Sequence, residues 1–294
     1  MRTIMRLISA LVLLVFMSAG CLVWANNRNM AVPSRTALRQ SLEKAMQWHV
    51  DHREKILQSD NAILWWMVKE SADLTGDPRL QSLLADYKRL KIDGNPNNIW
   101  QHFFDRNSTT PLEVYSLIQI LPDYNLLFVY GLTCKAELGE LNIIQSQLRQ
   151  DFCAEEHPIS PACLTHQVMG LRFMQRRNCG EPASIQALIH TLQGKIITQL
   201  TWDPRPVDVY VQRVLMLVDS GARDQVKPAW LGKVLAAQMA DGGWGDFIPL
   251  VPLGSHRYFG LTAHGIGRRS YESNFHTTAQ GLLLMALLNA EAPL

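Results

Sequence analysis

The seven residues Gln238-Met239-Ala240-Asp241-Gly242-Gly243-Trp244 constrain the fold of this chain more than any other stretch. They follow an apolar run of helical period, and two consecutive glycines there supply the left-handed backbone that stops a helix. A tryptophan straight after them is a large apolar body with one N–H to satisfy, expected to fold back as a plug. Such a device joins paired helices, and it speaks of architecture before chemistry.

The rest of the chain repeats apolar residues at intervals of three and four and is nearly free of strand signals, so the fold class expected is all-α. Helices are expected at 34–57, 61–75, 78–90, 111–120, 122–134, 139–150, 162–176, 183–200, 206–219, 227–240 and 275–290. Gly76-Asp77-Pro78, Asn178-Cys179-Gly180 and Asp203-Pro204 punctuate their ends. With 47% apolar and 18% charged residues and no long Gly/Ser/Pro tract, residues 33–294 are expected to form one domain around one core. Residues 195–202 overlay 234–241 through Gln199 and Gln238, a helix-pair repeat of roughly 40 residues.

The Gln-x-x-Asp-Gly-Gly-Trp pattern, followed by a helix opening His276-Thr277-Thr278-Ala279, resembles the repeat of the terpenoid cyclase and protein prenyltransferase superfamily of α/α toroids. The resemblance covers residues 183–290 and implies a divergent, exported member: a toroid, or part of one, made of antiparallel helix pairs. In such toroids the inner helices run parallel, with their polar first turns at the mouth of a central cavity. The chain departs from the pattern at Val234, where the repeat usually has leucine. The acidic Asp-x-Asp-Asp motif of the hopene-forming cyclases is missing. Prenyltransferases hold zinc with Asp, Cys and His; Asp208 and His276 match, but Tyr210 stands at the cysteine position, so the resemblance implies at most a degenerate prenyltransferase-like protein. A second group of exported toroids, the uronate-polysaccharide lyases, opens an inner helix with an Asn-His pair. Asn274 and His276, with Phe275 between them, are similar to it, and Tyr271, Arg268 and Arg269 lie just upstream. There Asn or Arg would neutralise the uronate carboxylate, His or Tyr would remove the adjacent proton, and Tyr would protonate the leaving oxygen.

Residues 1–25 stand apart: Arg2 and Arg6 precede an apolar run, and Val23-Trp24-Ala25 is a signal-peptidase pattern. Lipidation at Cys21 and an uncleaved anchor are the alternatives, and all three place the domain outside the cytoplasm, periplasmic or secreted. The formal net charge of +2 falls to about zero without this segment, and no Lys/Arg cluster remains to grip phosphates, so nucleic acid is not an expected partner. Membrane contact is expected only through the N-terminus. Cys134, Cys153, Cys163 and Cys179 form an even set in a compartment that keeps disulfides. Cys134 and Cys179 each follow the end of an inner helix, whereas Cys153 and Cys163 flank the return between them. This favours Cys134–Cys179 and Cys153–Cys163, with zinc as the alternative.

The insert at 245–272 is expected to overhang the cavity as a lid or binding loop. It carries His256 and His264, which with His276 could approach a metal, although their spacing matches no metal motif and solvated histidines are the plainer reading. Trp48, Trp65, Trp66, Trp100 and Trp230 sit among aliphatic neighbours and are expected in the core, with His49 and His52 on a solvated face. No phosphate loop, dinucleotide fingerprint or nucleophile elbow occurs, so no cofactor is expected. The expectation for function is a binding or scaffolding module of the cell envelope for a polar ligand, a saccharide being one candidate; a uronate lyase is the alternative. The candidate catalytic residues are His276, Asn274, Tyr271 and Arg269, and the candidate binding residues Asp208, Tyr210, His256, His264 and Arg268.

Overall fold

The computed structural model describes residues 2–94, 98–105, 107–108, 114–154 and 163–290. Among these are fifteen α-helices and one small sheet. The helices are α1 (Arg2–Asn27), α2 (Arg35–Asp51), α3 (Arg53–Ile56), α4 (Ala62–Thr75), α5 (Pro78–Tyr87), α6 (Gln101–Phe104), α7 (Val114–Ile120) and α8 (Asp123–Thr133). They continue with α9 (Ala136–Gly139), α10 (Asn142–Gln147), α11 (Cys163–Arg177), α12 (Pro182–Trp202), α13 (Asp208–Asp219), α14 (Pro228–Ala236) and α15 (Phe275–Ala290). The expected helices are found with shifted ends; the starts expected at 111 and 162 fall outside the described residues.

Local chemistry sets many boundaries. Ser34, Asn61, Asp77 and Glu181 each accept a backbone N–H from the first turn they precede, and Pro78 and Pro182 occupy first-turn positions where no N–H is needed. Gly76, at φ 67°, caps α4. Helices α13 and α15 are buried on nearly every side and so belong at the centre of the molecule.

The central helices form a circuit. α8 packs on α11, α11 on α13, α13 on α15 and α15 on α4, while α6 touches both α4 and α8. Outside them, α2 and α5 pack on one another and on α15 and α4 respectively, α12 spans α11 and α13, α14 leans on α13, and α10 backs α8. Trp65, Trp66, Tyr87, Phe128 and Phe173 fill the middle, with Phe173 edge-on to Trp66 at 4.8 Å and Tyr87 stacked on Trp65 at 4.2 Å. At the C-terminal ends of α4, α11 and α13 the centre is closed by ions. Asp219 accepts from Arg172 at 3.1 Å and Arg176 at 2.6 Å, and Arg176 also pairs with Glu70 at 3.2 Å. Cations there suit the negative end of each helix dipole.

The Gln238–Trp244 segment lies beyond the end of α14 and is a joint. Trp244 is fully buried, and its indole donates to Val234 O at 2.7 Å. Its backbone N–H donates to Thr278 Oγ1 at 3.0 Å, and its carbonyl accepts from Asn274 N at 2.9 Å. Asp241 accepts from Ser273 at 2.6 Å and from the Trp48 indole at 3.3 Å, and Gln238 donates to Ser41 O at 3.0 Å. The segment thus fastens α2, α14 and α15 together. Only Gly242 uses the left-handed region, at φ 92°. Gly243 instead makes room, since a Cβ there would lie 2.6 Å from both Trp48 and Ser273.

Two features depart from expectation. The insert is not an irregular loop: β1 (Ile248–Pro252), β2 (Arg257–Thr262) and β3 (Gly265–Ser270) form an antiparallel sheet in that order. Alternation in Arg257-Tyr258-Phe259-Gly260-Leu261-Thr262 and tight turns at 254–256 and 263–264 carry it. His49 is fully buried in α2, not solvated, while Trp48 stacks on His52 at 4.2 Å. The disulfides are Cys134–Cys179 and Cys153–Cys163, as expected, and Cys21 is free and exposed. α1 runs unbroken through Ala25, and it is long and apolar enough over Ile8–Asn27 to cross a membrane.

The Trp244 seat predicts a stability test. A Cβ on Gly281 would stand 2.5 Å from the Trp244 ring. Gly281→Ala should therefore destabilise the fold by about 1–3 kcal/mol through overpacking, measured by urea unfolding, despite alanine's better helix propensity.

Candidate functional site

A cavity of about 570 Å³ opens where the first turns of the central helices meet. Asn61 caps α4 there, Tyr124 and Asn125 open α8, His166 opens α11, Gln212 comes from α13 and His276 from α15, with Trp100 in the wall. These side chains share one end because the helices run parallel, and their free N–H groups give that end a positive potential.

At one side of the mouth Asp208, first residue of α13, faces His276 of α15, with Oδ2 3.8 Å from Nδ1. The Asp208 side chain is only 18% exposed, and its Oδ1 is buried without a hydrogen bond. Burial pushes this carboxyl above its ordinary range; His276 opposes the shift, Asp246 adds to it and His264 opposes it. His276 Nε2 meets the Gln280 amide nitrogen at 3.2 Å, leaving Gln280 Oε1 buried and unpartnered. Asn125 Oδ1, in the cavity wall, is a third buried acceptor with no donor.

The remaining sequence-derived candidates scatter. Asn274 caps α15, its Oδ1 accepting from Thr277 N at 2.9 Å. Tyr271 lines a separate pocket of about 310 Å³ between α14 and β1, edge-on to Tyr258. Arg269 is paired with Asp246, and Arg268 is exposed on β3 opposite Phe259. His256 sits in the exposed β1–β2 turn at φ 61°, and His264 in the β2–β3 turn, near enough to bias Asp208. Tyr210 is a core residue whose hydroxyl donates to Asn26 Oδ1 at 3.0 Å. Only His276, of the four residues considered for lyase chemistry, lines the central cavity.

The zinc implied by the prenyltransferase resemblance does not fit these residues. Asp208 and His276 are adjacent, but Tyr210 points into the core, and no group of three His, Cys, Asp or Glu side chains among the described residues could hold a metal. The same finding removes the His256, His264 and His276 triad. Sequence reasoning missed Tyr124, Asn125, His166 and Gln212, for which the available signal was a polar residue in or near the first turn of an otherwise apolar helix. Trp100, expected in the core, is half-buried in the cavity wall.

No family model matches the chain, and neither a curated protein nor a solved structure matches it.

Two pH effects follow. The folded state holds Asp208 protonated more readily than the unfolded chain does, so its ionisation costs stability as pH rises above the ordinary carboxylate range. Asp208→Asn should raise the melting temperature at neutral pH, and the gain should vanish in acid, where both states are protonated. His49 behaves oppositely: burial drives it down to about 4 from 6.5, so the unfolded chain binds its proton first and stability falls as pH drops through that window. The loss is up to roughly 3 kcal/mol, and His49→Gln should flatten this limb in acid-unfolding curves.

Proposed function

We propose that this chain is an exported binding protein of the cell envelope, built as a toroid of helix pairs, that holds a polar ligand of the saccharide class in its central cavity. The closed circuit of central helices supports the toroid reading, and two disulfides with an apolar N-terminal helix support export. The observation that carries the ligand class is Asn125 Oδ1, a buried acceptor in the cavity wall with no donor, with Asp208 Oδ1 and Gln280 Oε1 also unpartnered on the two residues that flank His276. An unpartnered buried acceptor costs about 1–3 kcal/mol, and a ligand rich in O–H donors relieves that cost. Trp100 and Tyr124 offer ring surface for the apolar face of a sugar. The lyase reading loses support because Tyr271 and His276 serve different pockets and Arg269 is engaged by Asp246.

Binding is testable by screening an oligosaccharide array with the purified protein and measuring affinities by calorimetry. Asn125→Leu and His276→Ala should each weaken binding roughly 2- to 10-fold, the worth of one neutral hydrogen bond, whereas Tyr271→Phe and Arg269→Ala should leave it unchanged. Ultraviolet absorbance of an unsaturated product from uronate polymers, abolished by His276→Ala, would overturn the non-catalytic reading.

A further inference from the structure

The anchor-length helix and the small sheet meet the body at the same place. Asn26, near the end of α1, is fully buried: its amide donates to Leu200 O at 2.5 Å and accepts from the Tyr210 hydroxyl at 3.0 Å. Asn27 donates to Thr201 O at 2.8 Å and accepts from Lys227 at 2.9 Å. These partners lie at the C-terminal end of α12, in the first turn of α13 and just before α14, so α1 is clamped to the rim beside the mouth. Trp24, two residues before Asn26, is 67% exposed, as is most of the apolar helix before it. At 1.5 Å per residue, only about 3 Å of helix separates Trp24 from the clamp.

The α12–α13 junction also carries the sheet. Arg205 donates to Thr262 O at 2.7 Å, and Val207 and Val209 pack with Ala263 and Ile248 in a small apolar cluster of their own. Buried Asp203 fixes the junction by accepting from Arg205 at 2.7 Å and from buried Arg213 at 2.9 Å. Leu250, Val251, Leu253, Phe259 and Ile266 are exposed on this sheet or its first turn, Ile266 at 67%. Arg257 and Arg268 are exposed among them, and the three strands contain no acidic residue. Trp202, at the end of α12, is exposed on the same rim.

We propose that α1 remains attached as a membrane anchor and that the sheet rests on the anionic bilayer surface from which α1 emerges, so that the cavity mouth faces lipid headgroups. A span that ends a few ångströms from a rigid clamp leaves the rim no room to leave the membrane surface. Apolar side chains interleaved with arginine suit the headgroup boundary, where each cation near an anionic surface adds attraction. The inference does not depend on what the cavity binds.

The test uses the full chain, on a Cys21→Ser background, in vesicles of phosphatidylethanolamine and phosphatidylglycerol. An environment-sensitive dye is placed at Val251→Cys, at Ile266→Cys, or at Asp73→Cys near the closed end. Both sheet labels should shift to the blue and lose most of their emission to a lipid-borne quencher, while the Asp73→Cys label stays in water. Intact mass of protein recovered from membranes should retain residues 1–25. Equal quenching at all three positions, or a mass lacking those residues, overturns the proposal.

Discussion

The seating of Trp244 against Gly281 is the contact on which the mouth depends. It is a dry, close packing of an indole against a helix backbone, and the tryptophan's own backbone bonds Thr278 and Asn274 at the start of α15. The start of α15 is therefore fixed in height and rotation by a residue more than thirty positions earlier in the chain. His276 faces Asp208 as a consequence. The same joint reaches α2 through Asp241, Ser273 and Trp48, so an outer helix and the two segments that flank the strand insert share one set of hydrogen bonds. Asp203 acts comparably one helix pair earlier, where Gln199 and Arg213 complete the network at 2.8 Å. The two glutamines that align in the sequence both serve the ends of helix pairs, although one accepts from an arginine and the other donates to carbonyls.

The two ends of the central circuit differ in how their polar groups are satisfied. At the C-terminal end, Glu70, Arg172, Arg176 and Asp219 pair with one another, and the Arg176 guanidinium also lies 5.2 Å over Trp66. At the N-terminal end a carboxylate and two amide oxygens are buried without donors. A folded chain tolerates such groups where the rest of the packing holds them, and unmet polar groups concentrate where a protein binds or reacts. Under the proposed binding role the mouth, with its cavity of about 570 Å³, is the functional end, and the ionic end, with a cavity of about 40 Å³, is a structural closure.

Much of the fold was legible in the sequence because helical period and punctuation agree along most of the chain. The disulfide pairing was legible for the same reason, since helix ends place the cysteines. The site was legible only in part. Asp208 and Tyr210 are two residues apart on a helix buried on nearly all sides, so periodicity could not tell that one faces the mouth and the other the core. Asn274 looked chemical because amides are, yet its carbonyl is spent on capping α15. His49 beside Asp51 and Arg53 read as solvated, but it continues the buried stripe of Leu38, Leu42 and Ala45 on α2 and meets Phe275 edge-on. The strands were hidden because each is five or six residues long and two of them are rich in glycine or proline.

Hydrogen exchange on the full chain, with and without a bound oligosaccharide, tests most directly whether the mouth is the binding site. Binding there slows exchange in the first turns of α8, α11, α13 and α15 and leaves the last turns around Arg176 and Asp219 unchanged. Protection confined to the strands or to the closed end, with the first turns unaffected, would contradict it.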